Sequence, residues 1–147
     1  MKGIFHLKTV YAHCDIPCGI YDPHAAQIAA LTTLRMLDLI RESQDAHDIS
    51  RYTSVKEEYA ERCKNEVRII WGDFFKTEDL NPEVNSLLKQ IMELASAVKQ
   101  GKDRQKGEGL VGAVNQFAEL FWSKKGIKTR RVPAPYKIEA EIIIPEL

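Results

Sequence analysis

The sequence predicts an all-α protein: a four-helix bundle preceded by a short cysteine-bearing loop and followed by an extended C-terminal tail. Three observations carry this. Four stretches place apolar residues every three or four positions, the spacing of one helix face. Two of them open on a capping side chain followed by proline, Asp22-Pro23 and Asn81-Pro82, the order that starts a helix. The 147 residues suffice for one core and are too few for two ordinary domains. Four amphipathic helices with connections of modest length bury their stripes against one another.

The first helix is expected over about residues 23–43, with Ile28, Leu31, Leu34, Leu37 and Ile40 on one side. The charged stretch RESQDAHDISR ends it, and Asp45, Asp48 and Ser50 offer the next cap. Tyr52, Val55, Tyr59, Cys63, Val67 and Ile70 then mark a second helix over about residues 51–70. Val84, Leu87, Leu88, Ile91, Leu94, Ala95 and Val98 make the cleanest stripe of the chain, a third helix that Gly101 stops. The polar, glycine-bearing GKDRQKGEG reads as a connection, and Leu110, Val114, Phe117, Leu120 and Phe121 as a fourth helix ending near Lys125. The tail, TRRVPAPYKIEAEIIIPEL, holds three prolines and one alternating stretch, Ile138, Ala140 and Ile142, that suits a strand pairing or packing on something else.

Lys plus Arg and Asp plus Glu both total 21, so there is no global field to draw in nucleic acid or an anionic membrane. No apolar run approaches the roughly 18 residues of a bilayer span. The N-terminal MKGIFHLKTVYA, broken by His6 and Lys8, is a poor secretory signal, although Val10 and Ala12 imitate a cleavage site. Three cysteines do not make a disulfide framework, and a cytoplasmic protein is the expectation. There is no glycine-rich phosphate loop and no internal repeat.

The chemistry is concentrated in HCDIPCGIYDP, residues 13–23. Cys63 sits on the apolar stripe of the second helix and reads as a small buried hydrophobe. Cys14 and Cys18 differ: Asp15, Pro17 and Gly19 around them are turn formers, so the two thiols lie on a loop able to bend them toward one point. With His13 adjacent, the segment reads as a redox pair, a metal site or neither. The chemistry open to it depends on whether His13 is internal. Removal of the twelve preceding residues would give His13 a free amine, so that this amine, the Cys14 amide nitrogen and the two thiolates form a square of two nitrogens and two sulfurs. That donor set suits nickel(II), with the His13 imidazole able to reach an axial position. Electron-rich donors of this kind stabilise the oxidised ion and bring a Ni(II)/Ni(III) couple within reach.

At these residues the sequence resembles nickel-containing superoxide dismutase. His13, Cys14, Asp15, Pro17, Cys18, Gly19, Tyr21, Asp22 and Pro23 match the family's nickel-hook motif. The similarity continues more weakly through Trp71, Asp73, Phe75 and Lys76 and through Phe121, Trp122, Lys124 and Lys125, covering about residues 13–125. The resemblance implies a four-helix fold, a homohexamer, one Ni(2+)/Ni(3+) centre per subunit with superoxide as substrate, and a short leader that a maturation protease removes. On that basis residues 1–12 are the expected leader, 13–22 the metal-hook loop, 23–126 the bundle and 127–147 a C-terminal extension. His13, Cys14 and Cys18 are the expected ligands, and His13 and Tyr21 the expected catalytic residues.

The chain also departs from the family pattern. A glutamate early in the first helix and an arginine in the second, which orient the axial imidazole in the family, align with Ala29 and Tyr59. A tyrosine before the phenylalanine of the W-x-D-Y-F segment is Phe74. Tyr52, Trp71, Phe74, Phe75 and Trp122 near the helix ends are expected to leave aromatic surface that an oligomer would cover. The competing expectation is a non-enzymatic helical oligomer whose unprocessed Cys14 and Cys18 form a disulfide or an adventitious metal site.

Overall fold

The structure, a computed structural model, describes residues 19–147. The expected leader and His13, Cys14 and Cys18 lie outside the described residues. Four helices run up, down, up and down: α1 (His24–Glu42), α2 (Ala46–Asp73), α3 (Pro82–Gln100) and α4 (Arg104–Lys124). Helix α1 packs on α2 and α4, and α3 on the same two, closing a four-sided bundle. Its core runs along the axis through Leu34, Val67, Ile91, Leu110, Phe117 and Phe121.

Each helix start has a local cause. Asp22 Oδ1 accepts the His24 N–H at 2.8 Å, and Pro23 already holds near-helical angles, φ −71° and ψ −6°. Helix α2 begins at Ala46, earlier than its apolar stripe suggests, because Asp45 Oδ1 accepts the Asp48 N–H at 2.9 Å; it also continues past Ile70 to Asp73. Asn81 Oδ1 does the same for Val84 at 2.9 Å, with Pro82 in the first turn of α3.

Of the glycine-bearing segment expected as a connection only residues 101–103 are one; residues 104–109 are the first turn and a half of α4, capped by Asp103. Gly107 is there for space. A Cβ on Gly107 would lie 2.7 Å from Leu37 Cδ1 and 3.0 Å from Leu34 Cδ1, so α1 and α4 approach closely only because the side chain is missing.

Lys56 is a charged residue buried on the inner side of α2, 2% exposed. Its Nζ donates to the carbonyls of Val98, Lys99 and Gly101 at 2.5, 2.8 and 2.9 Å, satisfying the last turn of α3. Burial pushes its ammonium below the usual lysine range. Cys63 is fully buried, and burial pushes its thiol up to about 12.

The tail is an antiparallel hairpin of β1 (Thr129–Pro133) and β2 (Glu141–Pro145), with Arg131 opposite Ile143. The alternating stretch therefore marks a strand, but Ile138 and Ala140 belong to the connection, and the pairing partner lies within the same tail. Ile142 and Ile143 are both buried, and the hairpin joins the core through them.

Candidate metal centre

Four polypeptide ends meet at one end of the bundle: the starts of α1 and α3 and the finishes of α2 and α4. The hook motif enters there. Gly19 takes a left-handed φ of +81°, a turn that strains any other residue, and Ile20 is 80% exposed. Tyr21 returns to the bundle, its ring 6.2 Å from that of Phe74.

Behind Tyr21 stands a wall of rings. Phe74 lies 5.3 Å from Phe75 and 4.5 Å from Phe121, Phe75 lies 5.8 Å from Phe117, and Phe121 lies 5.0 Å from Trp122. Lys125 Nζ sits over Phe121 and Trp122, 5.3 and 5.5 Å from their centroids. Lys124 pairs with Asp79 on the short 3-10 turn Thr77–Asp79, and Asp79 also accepts the Lys76 N–H at 2.8 Å. The Lys124 hydrogen bond, with that of the Lys76 amide, holds the Asp79 carboxyl below the usual carboxylate range. The segments WGDFFK and FWSKK, distant in sequence, thus meet through Phe74 and Phe121, with Tyr21 against Phe74.

Other expectations are corrected here. Phe75 and Trp122 are buried and Phe74 half-buried, so they supply no spare aromatic surface; among those five rings only Trp71 is exposed, 41%, beside Ile69 at 43%. Ala29 is a core residue of α1, and Tyr59 is half-buried on α2 with the Arg62 guanidinium 5.6 Å above its ring. Neither position offers a carboxylate or a guanidinium of its own.

Among the described residues, no group of three or more histidine, cysteine or carboxylate side chains is placed to hold a metal. The donors that fit one are those of residues 13–18: two thiols and an imidazole, a set that selects borderline and soft ions such as nickel, copper or zinc over oxygen-seeking cations.

A family model described as nickel-containing superoxide dismutase matches residues 8–125, which include both the donor segment and the whole bundle. The chain belongs to the nickel-containing superoxide dismutase family. It is 35% identical over 119 residues to the superoxide dismutase [Ni] of Streptomyces coelicolor, covering 80% of this chain and 91% of that one. Against the native structure of a nickel superoxide dismutase the TM-score is 0.72 at 34% identity, over 77% of this chain and 99% of that chain. A related structure carries alanine for the histidine at its first position; it matches with a TM-score of 0.69 at 30% identity, over 72% of this chain and 99% of its own. The hairpin lies beyond the residues matched to the nickel-containing superoxide dismutase family.

Sequence reasoning missed two buried polar residues that fasten the tail to the bundle. Gln27 and Asn115 look like ordinary polar residues of a helix, yet are 2% and 3% exposed and bind the hairpin backbone. The only hint in the sequence is their place among apolar neighbours on the helix face that the tail covers.

Proposed function

We propose that this chain is a nickel-dependent superoxide dismutase whose metal is held by residues 13–18. What carries the reading is the conjunction of the HCDIPCGIYDP segment with a family bundle whose ring-lined end receives that segment's Tyr21. Cys14 and Cys18 would supply thiolates, Cys14 also its amide nitrogen, and His13 its amine and imidazole. Bound nickel supplies a one-electron Ni(II)/Ni(III) couple, by which one superoxide is oxidised to dioxygen and a second, with two protons, is reduced to hydrogen peroxide.

The chain's own residues set the conditions. Anionic sulfur donors favour the higher charge of the metal, which brings the couple into range. Tyr21, fixed against Phe74, gates access of the small anion and orders water at the mouth of the site. Asp15 shapes the loop. In this reading a protease removes residues 1–12 to free the His13 amine, and the mature chain works in the cytoplasm as a hexamer.

The test compares protein retaining residues 1–12 with protein beginning at His13, each supplied with nickel. Intact mass, metal content and dismutation rate are measured; activity is expected only in the second. Cys14→Ser or Cys18→Ser should abolish dismutation and thiolate-to-nickel absorption together, while Cys63→Ser leaves both. His13→Gln should keep nickel and lose most turnover. Activity surviving in either hook cysteine variant overturns the reading, and a monomer by light scattering overturns the hexamer.

A further inference from the structure

In the hairpin register Ile142 and Ile144 face Val132 and Arg130, and the flanking bonds Ala134 N–H to Ala140 O and Glu146 N–H to Lys128 O keep the same alternation. Ile143 therefore turns its backbone N–H and C=O away from β1. One side chain takes both. Gln27 Oε1 accepts the Ile143 N–H at 2.7 Å, and Gln27 Nε2 donates to Ile143 O at 3.1 Å. The amide is 2% exposed, and an apolar residue of the same length would leave two buried backbone groups unpaired. The backbone N–H of Gln27 meanwhile donates to Pro23 O at 3.1 Å, the last residue of the hook motif. The hairpin has further fastenings on α4, where Asn115 Nδ2 donates to Glu141 O at 2.9 Å and Arg131 grips Glu119 with two bonds of 2.8 and 2.9 Å. Gln27 is therefore not its sole fastening.

We propose that Gln27 is a positioning residue for the metal-holding segment: through it the C-terminal hairpin clamps the first turn of α1 and fixes the backbone from which residues 13–18 depart. The proposal rests on the nickel reading above for its consequence and on geometry alone for its cause. Gly19 and exposed Ile20 offer the root little packing, so its direction is set by Tyr21, by the Asp22 cap and by the turn that Gln27 holds.

The test is hydrogen exchange followed by mass spectrometry on the full chain without metal, reading peptides over residues 19–27, over the hairpin and over α3. Gln27→Met should raise exchange in residues 19–27 about tenfold and leave α3 unchanged, and nickel should pass from the loaded protein to a chelator faster by a similar factor. Gln27→Glu gives a second reading within one folded protein. A protonated carboxyl both donates and accepts as the amide does, whereas a carboxylate cannot donate. Compared with the wild type at each pH, exchange should therefore match at acid pH and rise as the introduced carboxyl ionises, at a pH raised by burial. Unchanged exchange in residues 19–27 with a loosened hairpin would overturn the proposal, as would equal acceleration in α3. A wild-type protein that binds no nickel would refute the dismutase reading while leaving the exchange result standing.

Discussion

The two ends of this bundle are closed by different chemistry. At the far end the closing groups are charged and directional: Lys56 on three carbonyls of α3, and Arg104 Nε on Asp38 at 2.7 Å, joining α4 to α1. At the hook end they are rings, from Tyr21 through Phe74 and Phe121 to Trp122, with charges only at the rim. Hydrogen bonds to a buried ammonium fix one geometry and cost heavily when one partner is lost. Stacked rings exclude water over a broad area without demanding a single arrangement. The difference suits their duties: a turn between two helices needs one fixed conformation, while the end that receives Tyr21, next to the segment proposed to hold the metal, is better without donors or acceptors that would compete for its ligands.

The largest effect on this contrast should come from Phe121→Ala. Its ring is fully buried and touches Phe74 and Trp122, so the loss should be about 3–5 kcal/mol in urea denaturation. A loss smaller than that of the Lys56 variant would mean the rings close nothing. Lys56→Met comes next, at about 1–3 kcal/mol, since the apolar stem is kept while three carbonyls lose their donor. Nickel content of the folded fraction should be unchanged by Lys56→Met and reduced by Phe121→Ala; the reverse pattern would break the division of labour between the ends.

The smallest effect concerns acid. The folded Asp79 carboxyl is held below its ordinary value, about 4 in an unfolded chain. Its contribution is therefore fully present above that ordinary value and disappears as pH falls through the lowered one. Asp79→Asn should remove that contribution, lowering stability slightly at neutral pH and not at all below the acid window, so that the profile flattens there; the loss is small because Lys124 is exposed. An unchanged acid limb would show that the pair contributes nothing.

Helix α3 was legible from the sequence because Asn81-Pro82 and Gly101 mark its ends chemically. The start of α4 was not, because glycine carries two meanings: chain freedom in a loop, or room for a neighbour, and only the positions of Leu34 and Leu37 tell which applies at Gly107. Half of the hairpin was visible in its alternating isoleucines, while its partner strand, TRRVP, has too few apolar residues to announce itself. The donor types proposed for the metal stand together in one uninterrupted motif, residues 13–18. The ring wall behind Tyr21 was not legible, since Phe74 and Phe121 are far apart along the chain and sequence distance carries no information about contact.

The burial of Cys63 has a chemical consequence for a protein proposed to release hydrogen peroxide. Peroxide attacks thiolates, and a thiol that burial pushes up to about 12 stays protonated at neutral pH. Enclosed in the core with no exposed surface, Cys63 is out of reach of the product as well as slow to react with it. Among the thiols, that leaves the two cysteines of residues 13–18, whose sulfur a bound metal would occupy.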